Sequence, residues 1–141
     1  MRSIAKIPLL LLLCLPLFGF QGESRAQLYL KSAEKLQTMG RNDLALRFFD
    51  KAIAAEPKLA PAYRSRGFIY LQQGKSDLAL DDFNRLIELA PEPANYLTRG
   101  LALSQRGDKE RAAADFRKGC ELGDAGACEL LEQIKVEVEV K

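Results

Sequence analysis

The chain repeats itself with a period of 34 and then 33 residues, and this periodicity limits its fold more than any other feature. Residues 42–46 (NDLAL) recur almost unchanged as residues 76–80 (SDLAL). Periods of this length are typical of solenoids, in which each structural unit buries the apolar face of its neighbour. Four types of marker residue keep the period: Gly40, Gly74 and Gly107; Ala45, Ala79 and Ala112; Phe49, Phe83 and Phe116; Pro57 and Pro91.

Each unit has the pattern of a helical hairpin. The first helix of each pair is expected to end at the repeated glycine, because a left-handed C-cap costs glycine no Cβ strain. The second helix is expected to begin at Asn42, Ser76 or Asp108, whose side chains can accept hydrogen bonds from the free amides of the first turn. Pro57 and Pro91 prevent the second helices from continuing. We expect the repeated alanines where two helices approach closely, with the phenylalanines filling the adjoining space.

These residues resemble the tetratricopeptide repeat, which has an aromatic residue, a Leu-Gly pair and a tyrosine, followed by Ala-x3-Phe and a proline. The first unit has Ala33 in place of the glycine and Leu36 in place of the tyrosine, and the third has Leu103 in place of the tyrosine. The second unit departs only at Arg66, where leucine is usual, and its matching residues are Tyr63, Gly67, Tyr70, Gly74, Ala79, Phe83 and Pro91.

The resemblance covers about residues 26–123 and implies an all-α solenoid. We predict three hairpins over about 26–59, 60–92 and 93–123, followed by a capping helix over 124–135. Residues 136–141 alternate between valine and a charged residue, which is a strand-like pattern with no visible partner. A frayed tail and a strand that pairs with another chain are both compatible with this pattern.

The N-terminus has the features of a secretory signal peptide. Arg2 and Lys6 precede an apolar run over residues 7–20, and the small-x-small triplet at 24–26 predicts cleavage after Ala26. At ~1.5 Å per residue this run reaches about 21 Å, which is less than the ~30 Å hydrocarbon core of a bilayer. We therefore expect a periplasmic or secreted protein.

Two other fates of this leader stay open. Lipid attachment would use Cys14, although the bulky Leu13 before it disfavours that processing. An uncleaved leader would act as an anchor, and it would then be the only membrane contact of the protein. N-terminal sequencing of the exported protein decides among the three.

Removal of the leader with Cys14 leaves Cys120 and Cys128, an even number that favours a disulfide in an oxidising compartment, with free thiols as the alternative. Zinc is disfavoured because the chain has no histidine, and a redox site is disfavoured because there is no C-x-x-C. The repeat register aligns Cys120 with Ile53 and Ile87, so we expect it to face the next helix. This end also resembles the cysteine-paired relatives of the repeat in secreted bacterial proteins, in which the pair joins neighbouring helices.

The composition disfavours several classes of function. Without residues 1–26 the chain keeps 18 basic and 18 acidic residues, so net charge gives no attraction to nucleic acid or anionic lipid. No histidine, carboxylate pair, G-x-S-x-G, phosphate loop or metal-ligand cluster is recognisable. We predict that the protein is not an enzyme and that it has no catalytic residue, no cofactor, no metal, no small-molecule substrate and no nucleic-acid partner.

A stack of helical hairpins offers instead a concave groove lined by its first helices. We predict that this groove binds a peptide or protein segment, so that the protein acts as an adaptor. The alternative is a structural component that self-associates through the same apolar face. A further alternative is that several of these side chains only pack between helices. The groove residues implied by the resemblance are Leu30, Glu34, Gln37, Arg64, Phe68, Leu71, Leu97, Leu101 and Ser104.

Some relatives of this repeat grip a C-terminal carboxylate with a clamp of Lys, Asn and Arg side chains on the groove helices. The matching positions here carry none of these residue types. They are Leu30, Glu34, Ser65, Ala94 and Thr98. We therefore expect a ligand that is recognised by other means.

Overall fold

A computed structural model describes the backbone of residues 23–139 and the side chains of residues 23–135. Within that range the chain forms seven α-helices and no strand. The helices pair as three hairpins, α1 with α2, α3 with α4 and α5 with α6, which stack in chain order before α7 packs against α6. The prediction of an all-α solenoid is confirmed. The helices are α1 Arg25–Thr38, α2 Asn42–Ala55, α3 Ala60–Gln72, α4 Ser76–Leu89, α5 Pro93–Gln105, α6 Lys109–Glu121 and α7 Ala125–Glu139.

The turn within each hairpin depends on a glycine in the left-handed region. Gly40, Gly74 and Gly107 have φ values of 74°, 73° and 91°. At the first of these turns the Gly40 amide donates to the carbonyl of Gln37, and the Arg41 amide donates to the carbonyl of Leu36, both at 2.9 Å. This pair of bonds satisfies the last carbonyls of α1, as the predicted glycine C-cap requires.

The second helices start where predicted, whereas their caps differ. The prediction of side-chain caps is wrong for Asn42 and Ser76, because the residue before each of them holds the N-cap position. The glycine turn is so tight that these two residues already lie inside the helix, one position too late to cap it. In the third hairpin Asp108 is itself the N-cap, and its Oδ1 accepts from the amide of Arg111 at 3.2 Å.

The repeated small and aromatic residues form the core as predicted. The three phenylalanines lie in the interior, and the room for two of their rings comes from a glycine in the first helix of the same hairpin. A Cβ added at Gly67 would lie 2.7 Å from a ring carbon of Phe83, and one added at Gly100 would lie 2.5 Å from a ring carbon of Phe116. The buried markers are Ala45, Ala79, Ala112, Phe49, Phe83 and Phe116.

Arg66, which replaces the usual leucine of the second unit, brings a charged network into the helix interfaces. Its guanidinium donates to both carboxylate oxygens of Asp82, at 2.9 and 2.6 Å, and to Asp50 at 2.6 Å. Asp82 belongs to the same hairpin and Asp50 to the preceding one, so a single side chain links α2, α3 and α4. The hydrogen bond to Asp82 raises the pKa of Arg66 against the opposing effect of burial, so the arginine stays charged.

The third hairpin repeats this network and the first does not. Arg99 donates to both oxygens of Asp115 at 2.7 Å and to the side-chain oxygen of Asn84 in the preceding hairpin at 3.0 Å. In the first hairpin the equivalent positions are Ser32 and Phe48. The charged link is therefore a feature of the two interfaces that follow another hairpin.

The capping helix α7 is longer than predicted. Its first turn is capped by Asp124, whose Oδ1 accepts from the amide of Ala127 at 2.8 Å, and it buries Ala127, Leu131 and Ile134. The backbone of residues 136–139 continues the helix, where the alternating pattern indicated a frayed or strand-like tail. Extending a helix that already exists adds one hydrogen bond per residue without a new nucleus, so a weak strand pattern does not end it.

At the other end, the predicted cleavage point after Ala26 falls within the first turn of α1. Ser24 is the N-cap of this helix, and its Oγ accepts from the amide of Gln27 at 3.2 Å. Ala26 is buried against the core of the first hairpin. Residues 1–22 of the predicted signal peptide lie outside the described part of the chain.

Candidate functional site

The predicted groove residues lie on α1, α3 and α5, the first helices of the three hairpins. Because residues four apart share one face of a helix, Arg64 and Phe68 lie side by side on α3, and Leu97 and Leu101 lie side by side on α5. The repeat register places Leu97 level with Arg64 and Leu101 level with Phe68. These four residues define what we call the groove quartet.

Two members of the quartet present apolar surface to solvent. Phe68 is 39% exposed and Leu101 is 40% exposed, which is unusual for large apolar side chains in this core-rich fold. The Phe68 ring also packs edge-on against the buried Phe83, with centroids 5.5 Å apart. This contact fixes one edge of Phe68, so the exposed part is held in place rather than free to collapse onto the surface.

The other predicted groove residues divide between surface and core. Leu30 corrects the prediction: it is only 7% exposed and belongs to the core cluster of the first hairpin, because the apolar face of α1 turns toward α2 and α3. Leu71 and Leu97 are partly buried and pack against the second core cluster. Glu34 is exposed, and Gln37 and Ser104 are partly exposed.

Arg64 is held in the groove by a buried residue that the sequence analysis did not single out. Asn95 is 1% exposed, and its Nδ2 donates to the Ala90 carbonyl at 2.7 Å. Its Oδ1 therefore faces α3 and accepts from Arg64 Nη2 at 3.1 Å. Glu92 lies 3.7 Å from the same nitrogen. No pattern in the sequence marks Asn95, since an asparagine near a helix start usually serves a turn.

The positions of the carboxylate clamp offer no cation. Leu30 is buried, and Glu34 would repel an anion. The hydroxyl of Thr98 donates to the carbonyl of Ala94 in its own helix at 2.8 Å, so it is already engaged. Arg64 is thus the cationic group of the groove quartet, and it lies outside the clamp positions.

Family models of the tetratricopeptide repeat match two adjacent stretches of the chain, residues 60–93 and 94–122. These stretches cover the second and third hairpins. Residues 60–122 are tetratricopeptide repeats. The first hairpin has the same architecture and the same glycine turn.

Sequence relatives carry tetratricopeptide repeats within much longer proteins. DnaJ homolog subfamily C member 3 of Gallus gallus is 32% identical over 99 residues, which is 70% of this chain and 19% of that protein. Its Homo sapiens counterpart is 34% identical over 91 residues, 64% of this chain and 18% of that protein. The TPR repeat-containing thioredoxin TDX of Arabidopsis thaliana is 32% identical over 84 residues, 59% of this chain and 22% of that protein. The chain therefore spans about a fifth of the length of these relatives.

Solved structures share the fold of the repeats at low sequence identity. The first TPR of Spaghetti (RPAP3), bound to the HSP90 peptide SRMEEVD, has a TM-score of 0.75 and 22% identity over 84% of this chain and 96% of that one. MamA protein has a TM-score of 0.73 and 21% identity, over 80% and 63% of the two chains. The Yersinia enterocolitica secretion chaperone SycD, in complex with a peptide of the translocator YopD, has a TM-score of 0.71 and 18% identity, over 77% and 91%. These likenesses establish the all-α solenoid of repeats.

The third repeat is joined to the capping helix through its cysteines. Cys120 near the end of α6 and Cys128 in α7 form a disulfide, with their Cα atoms 4.7 Å apart. Gly119 lets the two helices approach closely, since a Cβ added there would lie 2.9 Å from the Cβ of Ala127. Cys120 thus faces the next helix, as the repeat register predicts.

A separate cavity of about 400 Å³ lies between α4, α5 and α6 of the second and third repeats. Three arginines line it, and each is already paired with a carboxylate. Arg99 binds Asp115, Arg106 lies 3.1 Å from Asp77, and Arg111 pairs with Asp108. The charges of this cavity are therefore satisfied within the protein.

Two further observations apply to residues 23–139. His, Cys, Asp and Glu side chains nowhere gather in groups of three that could hold a metal ion. Every helix in this range also falls short of the length and apolar character that a bilayer crossing requires.

Proposed function

We propose that this chain is a non-catalytic adaptor whose groove binds a peptide or protein segment. The single observation that carries the proposal is the pair Phe68 and Leu101, which occupy equivalent positions of adjacent repeats and stay about 40% exposed beside a well-packed core. Large apolar side chains held at a solvent-facing site lower the free energy of a complex when a partner covers them.

Similar proteins support this class of function. The Spaghetti (RPAP3) repeat domain is bound to an HSP90 peptide, and SycD is in complex with a YopD peptide. Since the clamp positions of this chain carry no Lys, Asn or Arg, we propose that its ligand is not selected by its C-terminal carboxylate. We propose a protein or peptide as the partner, without nucleic acid, small-molecule substrate or cofactor.

We further propose that the protein is exported to the periplasm or secreted, with the leader removed after Ala26. The basic start, the apolar run over 7–20 and the small-x-small triplet support this route. An oxidising compartment would keep Cys120 and Cys128 paired. N-terminal sequencing of the protein recovered from the cell envelope tests the proposal: a chain that begins at Gln27 supports it, and a chain that keeps its first residues contradicts it.

The adaptor proposal is tested by photo-crosslinking in intact cells. A photoreactive amino acid replaces Phe68 or Leu101, and a matched variant carries it at Leu78, which is 47% exposed but lies on α4 outside the groove. We expect one discrete heterologous adduct from positions 68 and 101 and none from position 78. Adducts only between copies of the chain would support the self-associating alternative, and equal labelling from all three positions would contradict a groove function.

A further inference from the structure

We infer that the groove selects an internal acidic side chain of an extended peptide, read by Arg64, next to a bulky apolar side chain read by Phe68 and Leu101. This inference rests on the proposed function and names the chemistry of its ligand. Its basis is the Arg64–Asn95 arrangement on facing first helices of the second and third repeats.

Asn95 gives Arg64 a fixed position. A buried amide must satisfy its hydrogen-bonding groups within the protein. The bond from Asn95 Nδ2 to the Ala90 carbonyl fixes the orientation of the amide, so its Oδ1 is left to accept from Arg64 Nη2. An exposed arginine ordinarily loses much side-chain entropy on binding, and this bond removes part of that cost before the ligand arrives.

Arg64 keeps donors available for a ligand. Its hydrogen bond and its ion pair within the described residues both involve Nη2, so Nε and Nη1 remain free to donate to a carboxylate. Glu92 is 3.7 Å away, with 64% of its side chain exposed, and a pair of this kind contributes only about 0–1 kcal/mol. An incoming carboxylate at hydrogen-bonding distance can therefore displace Glu92.

The spacing of the quartet matches an extended ligand. Arg64 and Phe68 are four residues apart on α3, which corresponds to about 6 Å along the helix axis. In an extended peptide, residues two apart point to the same side and lie about 6.6 Å from each other. The complementary sequence is therefore an acidic residue, any residue, and a large apolar residue, in either direction.

An internal acidic side chain fits this groove better than a chain terminus. Terminal carboxylates are bound in this repeat family through several cationic and amide side chains, and the clamp positions here lack them. Apolar or partly buried residues continue on both sides of Arg64, with Leu71 on α3 and Leu97 on α5. The groove can therefore accept a peptide that continues past the acidic residue.

The test is selection of a random decapeptide library against the purified protein, with each peptide fused at both ends so that it has no free carboxylate. The wild type is compared with Arg64→Gln, with Glu92→Gln and with the control Arg47→Gln, which removes an exposed arginine of α2 outside the groove. Affinities of selected peptides and of their Asp→Asn or Glu→Gln versions are then measured. Circular dichroism confirms that each variant is folded.

We expect the wild type and Arg47→Gln to enrich the acidic-x-apolar pattern, and neutralising the acidic residue to weaken binding about tenfold. Arg64→Gln should keep the apolar preference and lose the acidic one, while Glu92→Gln should bind the acidic peptides more tightly. Apolar enrichment without an acidic preference, or an acidic preference that survives Arg64→Gln, overturns this inference and leaves the adaptor function standing. Failure of every peptide to bind overturns both.

Discussion

Gly67 illustrates how one residue limits the packing of a whole hairpin. A methyl group at this position would lie 2.7 Å from a ring carbon of Phe83, which is fully buried and cannot move aside. We expect Gly67→Ala to lower the free energy of unfolding by about 1–3 kcal/mol through overpacking, in spite of the better helix propensity of alanine. Urea denaturation followed by circular dichroism measures this change.

Gly126→Ala is the matched control for that substitution. Gly126 lies in the first turn of α7, where a Cβ would meet only the end of the Asp124 side chain at 3.3 Å and a methyl group of Leu97 at 3.7 Å. Its effect should be small, within about 0.5 kcal/mol. Equal destabilisation by both substitutions would show that the approach of Phe83 to Gly67 is not what matters.

The link between Arg66 and Asp82 gives a second prediction for single residues. Arg66→Leu restores the leucine usual in this repeat, but it leaves the carboxylate of Asp82, whose side chain is 4% exposed, without its cation. We expect a loss of about 3 kcal/mol, because an unpaired buried charge is costly. The double variant Arg66→Leu/Asp82→Leu should recover most of it, since both charges are then absent. A double variant no more stable than the single one would contradict this explanation.

Individual positions were predicted from the sequence to different degrees. The repeat register identified Arg66 as a departure from the leucine, but it gave no reason to expect Asp82 and Asp50 as partners, because both are 16 residues away and look like solvent-exposed helix charges. Leu30 was assigned to the groove by register alone. The structure buries it, since the first hairpin lacks the Arg–Asp link and packs its inner side more closely with apolar residues.

At the scale of the helix, α1 depends on residues that the predicted cleavage would remove. A chain beginning at Gln27 lacks the Ser24 cap and the buried Ala26. Compared with a chain beginning at Glu23, we expect it to be less stable by about 1–2 kcal/mol, most of it from the lost cap. Thermal denaturation of the two purified forms measures the difference. Identical stability would show that the cap contributes nothing to the folded hairpin.

The junction of α6 and α7 gives a prediction about the disulfide. Closing a loop of about nine residues contributes roughly 2.5 kcal/mol in the chain-entropy model, which matters at a solenoid end where α7 packs on one side only. We expect Cys128→Ser to lower the midpoint of urea denaturation under oxidising conditions and to change it little in the presence of reductant. If wild type and variant match in both conditions, the bridge does not stabilise this junction.

Helix order and turn positions were predictable because glycine turns, apolar spacing and the repeat period all indicate the same hairpins. The boundaries that failed were those decided by tertiary context. Asn42 and Ser76 resemble caps in the sequence, yet the glycine turn places them one residue inside the helix. Residues 136–139 resemble a strand, yet they follow an established helix and continue it.

For the whole molecule, stacking of three hairpins explains both its stability and its open surface. Each hairpin buries one side of the next, and α7 covers the last one with Ala127, Leu131 and Ile134. The first helices keep one face uncovered, where Phe68 and Leu101 meet solvent. The quartet could be located from the repeat register, whereas the Asn95 contact that positions Arg64 required the structure.

The central claim is that this uncovered face binds the partner while the rest of the molecule only supports it. The most direct measurement compares partner capture by Phe68→Asp with capture by Leu78→Asp, an equivalent change at an exposed leucine outside the groove. We expect both variants to keep the circular dichroism spectrum of the wild type, with capture abolished for Phe68→Asp and unchanged for Leu78→Asp. Undiminished capture by a folded Phe68→Asp, or equal loss in both variants, would contradict the account.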